Sequence, residues 1–386
     1  MNRPCVSFFS VILILLLLIF LGSPASAALN KTFTCGVILP LSGSFGTLGT
    51  EVLQGIECAA DQINAEGGAN GYTVQLETAD DMSDPDQASF LFADMKKRGI
   101  PVVIGSLTTA LTLPMAEQTK PDPTISVLLI SPRANGNDLY GISPGFYQVH
   151  SPAFHLGDVV ADWLSYTADR AALVYIDDAY GLSFAETIKQ RLNTSSTVIS
   201  AEVPISHDDV GFSLATIRIL DAVSDTVVII GCDTESVTFM RALSDAGFDG
   251  QIVLTESCLI KSLSADLINN TPGKFSLFTA NAYTTLVPGR ESDRFVADYL
   301  KKFGKSPEGS VAGYGYDALI MIQEALIHTQ QTGNVTASSL KEGLDAIRYY
   351  GVTGPKIFDQ KNAVSPAYDR YIYRNGTFDI LSTSIR

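Results

Sequence analysis

Several things are scarce in this chain of 386 residues, and each scarcity closes a line of explanation. Histidine occurs four times and cysteine five, with no C-x-x-C pair, so a structural zinc site has too few donors at the right spacing. Basic residues are outnumbered, 26 Lys and Arg against 41 Asp and Glu, for a formal charge of −15. That balance argues against nucleic acid or an anionic membrane surface as partner. Beyond residue 27 no stretch approaches the ~20 apolar residues that span a bilayer. No linker rich in Pro, Gly or Ser divides the chain, and no repeat of solenoid length recurs.

Catalytic signatures are missing too. There is no G-x-x-x-x-G-K-S/T loop and no H-E-x-x-H. Gly141-Ile142-Ser143-Pro144-Gly145 carries the letters of a nucleophile elbow without its strand and helix, and Pro144 has no N–H to offer an oxyanion. It reads as a turn. Gly313-Tyr314-Gly315 lacks the third glycine of a dinucleotide loop. His150 and His155 are expected to be ordinary structural histidines, although Ser151 adjoins His150. Asp80, Asp81 and Asp84 read as loop capping, since no calcium-loop spacing follows them. The chain is therefore expected to be no enzyme, and to need neither cofactor nor metal.

What is present begins with an export signal. Arg3 precedes an apolar run from Val6 to Leu21, and Ala25-Ser26-Ala27 offers a small-x-small cleavage site. Cleavage after Ala27 is expected, with a retained anchor as the alternative. Cys5 precedes the apolar run and so is not a lipoprotein cysteine. The mature chain is expected to be soluble and periplasmic or otherwise extracytoplasmic, with length for two domains. Export permits disulfides. Cys232 with Cys258 is the first candidate pair, each following an apolar strand, and Cys35 with Cys58 the second; buried free thiols are the alternative for both.

Short apolar strands then alternate with amphipathic helices, the pattern of an α/β fold. The stretch Leu39 to Gly68 sets the pattern. A strand ends at Pro40, small residues Ser42, Gly43, Ser44 and Gly46 follow, and a helix buries Val52, Ile56, Ala59, Ala60 and Ile63. Gly67-Gly68 stops it. Further strands are expected at Tyr72–Thr78, Val102–Ile104, Thr124–Ile130, Ala171–Ile176, Val198–Val203, Thr226–Ile230, Ile252–Leu254 and Phe275–Thr279. Phe146–Val149 is read as a segment crossing between domains, and Asn375-Gly376 as a hairpin turn.

The pattern S-G-x-x-x-x-x-G followed by a helix ending I-N-A-x-G-G resembles the type I periplasmic binding proteins, in particular the leucine/isoleucine/valine receptors of ABC importers. The resemblance extends over essentially the whole mature chain. It implies two doubly wound, Rossmann-like α/β lobes joined by a three-segment hinge: residues 28–149 plus 282–350, and 150–281 plus 351–386. It further implies a small-molecule ligand held between the lobes, an amino acid in the first instance, and an ABC permease as membrane partner. A ligand-sensing role, or amides, urea or aromatic acids as ligands, are the alternatives.

In such sheets ligands sit at the carboxyl ends of the strands. Ser42, Thr108, Thr109, Ser131 and Asn135 end strands of the first lobe; Tyr180, Asp233 and Glu256 end strands of the second. Hydroxyls and helix-start N–H groups facing carboxylates suit a zwitterion. The resemblance adds roles. Thr109, Arg133 and Asn135 fall where relatives hold the ligand's α-groups, Tyr180 on the D-x-x-Y-G tyrosine, and Glu256 on the carboxylate for the ammonium group. Leu48 stands at a loop position often aromatic. Arg133 replaces a small residue, and could meet a second acidic group of the ligand or pair with Asp138. Ser83 and Thr108 stand where some relatives carry a disulfide.

Overall fold

The computed structural model describes residues 31–385 except 122, 207–211, 232, 256–273, 281–289, 308–309, 330–334, 365–367 and 375–376. The signal segment, the Cys232–Cys258 pair and Glu256 lie outside the described residues.

The first lobe is a parallel five-stranded sheet in the order β2-β1-β3-β4-β5, from β1 (Lys31–Leu39), β2 (Tyr72–Asp80), β3 (Val102–Gly105), β4 (Leu128–Ser131) and β5 (Phe146–Gln148). Successive strand side chains point to opposite faces. Val37, Leu39, Val102, Ile104, Leu128 and Ile130 therefore join one apolar cluster, while Ile38, Val103 and Leu129 join another. Helix α1 (Gly46–Ala65) covers the first face and α2 (Pro85–Lys97) with α3 (Thr109–Glu117) the second. That is a doubly wound layer.

The five residues expected to face inward from α1 are all buried. Gly67 and Gly68 end it with φ of 100° and 85°. In α2, Ala88, Phe92 and Met95 are buried, while Leu91 is only half-buried. Two expectations change. The strand expected at Thr124–Ile130 starts at Leu128, because its neighbour β3 begins only at Val102, opposite Leu128, just after Pro101. Phe146–Gln148, read as a crossing, is a fifth strand paired with β4; three fully buried side chains hold it on the sheet.

The second lobe follows with α4 (Ala153–Thr167), β6 (Arg170–Ile176), α5 (Ala179–Leu192), β7 (Val198–Ile205), α6 (Ser213–Asp221), β8 (Thr226–Ile230), α7 (Asp233–Asp245), β9 (Gln251–Leu254) and β10 (Lys274–Ala280). Its seven-stranded sheet has the order β14-β13-β10-β9-β8-β6-β7. The antiparallel pair β13 (Tyr368–Arg374) and β14 (Thr377–Ile385) closes one side; the hairpin turn expected at Asn375-Gly376 lies outside the described residues.

Between β10 and β13 the chain returns to the first lobe as α8 (Arg290–Phe303), α9 (Val311–His328), α10 (Ala337–Ala346) and the strand pair β11 (Tyr349–Gly351) and β12 (Gly354–Lys356). Helix α9 lies close on α1. A Cβ on Gly55 would fall 1.8 Å from the Ala312 carbonyl, and one on Gly315 2.3 Å from that of Val52. Gly55 and Gly315 are thus the glycines that let the two helices approach, and the Gly313-Tyr314-Gly315 letters belong to helix packing through Gly315. The chain passes between lobes after β5, after β10 and after β12. The first and third passages run side by side: the Gln148 N–H donates to the Asn362 carbonyl at 2.9 Å, and Gln148 and Ala363 form a parallel bridge.

Candidate functional site

The loops after β1, β2, β3 and β4 meet at the carboxyl end of the first sheet, and their polar side chains mostly bind one another. Asp80, the last residue of β2, accepts from the Leu41 N–H (2.8 Å), the Ser42 N–H (3.2 Å), the Ser42 hydroxyl (2.6 Å) and the Met82 N–H (2.8 Å). Partial burial works against its charge, but these donors outweigh it and hold the carboxyl below its ordinary value. Ser83 accepts from the Phe45 N–H at 3.1 Å and donates to the Ser42 carbonyl at 2.8 Å. Asp81 is fully buried, which raises its pKa, and accepts from the Ser106 hydroxyl at 2.6 Å. That bond links the second- and third-strand loops, which Ser83 and Thr108 leave without the disulfide of some relatives. Ser131 continues the chain, donating to the Ser106 carbonyl and accepting from the Ala134 N–H, each at 3.1 Å.

The candidate residues therefore divide. Ser42 is exposed but engaged by Asp80. Leu48 lies in the first turn of α1, because the helix starts at Gly46; it is half-buried against the core instead of standing in a loop. Thr108 caps α3, its hydroxyl accepting from the Leu111 N–H at 3.3 Å. Thr109 is 3% exposed and accepts from the Gly136 N–H at 3.0 Å, tying the third-strand loop to the fourth. A Cβ on Gly136 would lie 2.4 Å from the Thr109 methyl, so glycine is required there. Asn135 is 8% exposed, and its carbonyl accepts from the Ala153 N–H at 2.7 Å, at the start of the second lobe. Arg133 is half-buried in the same loop.

From the second lobe, Tyr180 stands in the first turn of α5, which the Asp178 carboxylate caps through the Gly181 N–H at 2.8 Å. The expected turn at 177–181 is thus mostly helix. Asp233 begins α7 at the carboxyl end of β8. Glu256 lies outside the described residues, just beyond Thr255, which follows β9. Ser143 of the G-x-S-x-G letters accepts from the Gly145 N–H at 3.1 Å, the geometry of a turn. His150 packs on Tyr314 and contacts the Ser151 carbonyl, while His155 packs on Phe154; burial lowers the His155 pKa. Cys35 and Cys58 are buried free thiols, with burial pushing them up to about 12 and about 11. Among the described residues no three or more His, Cys, Asp or Glu cluster as metal ligands, and no helix is long and apolar enough to cross a membrane.

Two groups escaped the sequence reading. Asn137, in a 3-10 turn at Asn137–Leu139, bonds across to the second lobe. Asp317 is fully buried in α9 and accepts from the Val352 N–H (2.9 Å), the Thr353 N–H (2.8 Å) and the Thr353 hydroxyl, with Lys356 Nζ at 3.6 Å. The signal was legible: a lone carboxylate inside the apolar run VAGYGYDALIMI demands a partner.

Three comparisons follow from this geometry. The sequence profile of the family described as "Periplasmic binding protein" matches residues 32–374. The Leu/Ile/Val-binding protein homolog 3 of Brucella melitensis is 28% identical over 260 residues, covering 66% of this chain and 68% of that protein. A leucine binding protein, LivK, from Thermotoga maritima superposes with a TM-score of 0.79 at 19% identity, over 92% of this chain and 99% of its own. A solute binding protein of an ABC transporter from R. palustris, in complex with benzoate, gives 0.75 at 17% identity, over 92% and 96%. At such identities the two structures establish a shared fold.

Proposed function

Because the chain belongs to the periplasmic binding protein family, whose members bind solutes and are not enzymes, we propose that it captures an amino acid between its two lobes and delivers it to an ABC permease. The observation that carries this reading is the convergence of strand-end loops. Thr109, Asn135 and the α3 N-terminus line one side, and Tyr180 stands at the head of α5 on the other. The first N–H groups of α3 have no intrahelical acceptors and suit a carboxylate. Glu256 is assigned the ammonium group, a role that rests on its place in the LTES sequence. Asp233 is the alternative partner of the ammonium group, Arg133 is assigned to a second acidic group of the ligand, and Ser42 and Leu48 to the rim. The lobes, with the third passage after β12 instead of at the expected 350–351 boundary, close by hinge motion, since only the closed form lets both walls touch one ligand. Export by the N-terminal segment, with cleavage after Ala27, places the protein outside the cytoplasm.

A second reading, an aromatic acid as ligand, is favoured by Arg133, whose guanidinium fits a carboxylate. A thermal-shift screen of the chain from Ala28 onward separates them, using the amino acids, short amides, urea and aromatic acids. A ligand at 100 times its Kd adds about 2.7 kcal/mol. A hit among α-amino acids supports the first reading, and a hit confined to aromatic acids overturns the role of Glu256. Glu256→Ala is expected to abolish or greatly weaken amino-acid binding by titration calorimetry while leaving the ligand-free melting temperature in place. Unchanged affinity would remove that assignment.

A further inference from the structure

Asn137 follows the loop that carries Arg133 and Asn135, and its side chain crosses to the other lobe. Its amide nitrogen donates to the Ser183 carbonyl at 3.1 Å and to the Thr187 hydroxyl at 3.0 Å, both on α5. Its amide oxygen accepts from the Phe154 N–H at 2.9 Å, in the first turn of α4. A backbone N–H only donates and a carbonyl only accepts, so these partners fix the amide's orientation. The Thr187 hydroxyl spends its proton on the Ser183 carbonyl at 2.9 Å and is left as an acceptor for Asn137. The network is thus consistent in every donor and acceptor.

The contact also joins the two halves of the cleft. On one side the adjacent Gly136 N–H is held by Thr109. On the other, the Asn137 N–H reaches the Ser183 hydroxyl at 3.4 Å, and that hydroxyl donates to the Tyr180 carbonyl at 3.1 Å. A short path therefore runs from the wall at Thr109 to the wall at Tyr180. Phe154 lies just past the first passage between lobes, whereas Ser183 and Thr187 lie further along the chain, on α5.

We propose that Asn137 is an interlobe latch: it biases the two lobes toward closure without touching the ligand, and so raises affinity by making the binding-competent state easier to reach. This rests on the reading that the lobes open and close around a solute. It is a positioning role, and it is tested on the lobes themselves as well as on binding.

The experiment compares wild type, Asn137→Ala, Asn137→Asp and Thr187→Val by small-angle X-ray scattering without ligand, and by calorimetric titration with L-leucine. Asn137→Ala and Thr187→Val are expected to enlarge the radius of gyration of the ligand-free protein. Asn137→Asp is expected to enlarge it most, because it sets a carboxylate oxygen against the Ser183 carbonyl. The leucine Kd is expected to rise about ten-fold for Asn137→Ala, which removes the two bonds to α5 and the one from the Phe154 N–H. The double variant Asn137→Ala with Thr187→Val should bind no more weakly than Asn137→Ala alone, since both remove one contact. Identical scattering from all four ligand-free proteins overturns the latch, whatever leucine does. If leucine binds none of them, leucine falls as the ligand, and the scattering still decides the latch. Thr187→Val keeps the test open should the Asn137 variants fail to fold.

Discussion

The two walls of the cleft are built differently. In the first lobe, four loops after four strands are cross-braced by side chains: Asp80 holds residues 41, 42 and 82, Asp81 holds Ser106, Ser131 holds Ala134, and Thr109 holds Gly136. In the second lobe, Tyr180 stands inside a helix whose first turn Asp178 caps locally. Loops have no internal ladder, so their shape must be tied from outside, whereas a helix end carries its shape with it. Several hydroxyls that a strand-end rule assigns to ligand are therefore structural braces in the first wall. Changes there should register in stability before they register in binding.

The largest effect is expected at the base of the first lobe, where Asp317 anchors the turn between β11 and β12, just before the chain leaves for the second lobe. Asp317→Ala strands the buried Lys356 ammonium without its carboxylate. Breaking one partner of a buried pair costs about 3–5 kcal/mol. Burial pushes the Asp317 carboxyl up and the Lys356 ammonium down, so each depends on the other to stay charged. Differential scanning calorimetry should show that loss, and Asp317→Ala with Lys356→Met should recover part of it. An unchanged melting temperature in the single variant would mean that the pair contributes nothing to holding the third passage.

A smaller effect is expected at Asp80. Asp80→Asn keeps the shape but removes the charge that draws four donors, at a cost of about 1–2 kcal/mol. The sign of its pH dependence follows from its lowered pKa: the folded state binds the Asp80 proton less readily than the unfolded chain. Its contribution is fully present above 3.8, the unfolded value, and is lost as the pH falls through the lower folded value. Wild type and Asp80→Asn should therefore differ in stability at neutral pH and converge in strong acid. A gap that persists in acid would assign the effect to packing instead of charge.

The difference between the walls also explains what the sequence revealed. The sheets, the helices and the inward faces of α1 and α2 are written in local periodicity, so Val52, Ile56, Phe92 and Met95 were identifiable one segment at a time. Phe146–Gln148 was not, because three residues are too few to show a period and only the neighbouring β4 makes them a strand. Thr109, Asn135 and Tyr180 do follow the carboxyl ends of β3, β4 and β6, Thr109 and Tyr180 in the first turns of helices, but which hydroxyls remain for a ligand depends on partners distant in sequence. Ser42 lies 38 residues from Asp80, and Asn137 lies 46 from Ser183. Composition carries no trace of such pairings.

Thr108 and Thr109 put the contrast into adjacent positions. Thr108 caps α3 locally, as an isolated helix would require, while Thr109 reaches across to the fourth-strand loop. Thr108→Ala is expected to cost about 1 kcal/mol, the worth of an N-cap, and Thr108→Ser close to nothing, since the hydroxyl survives. Neither should move ligand affinity beyond what the helix shift imposes. Thr109→Ser keeps the bond to Gly136 but removes the methyl that packs against it, and should alter the loop bearing Arg133 and Asn135 more than it alters the helix. Urea titration paired with binding calorimetry separates the two. If Thr108→Ala weakened binding ten-fold while leaving stability intact, its hydroxyl would belong to the ligand, and the first wall would be less completely braced than its hydrogen bonds indicate.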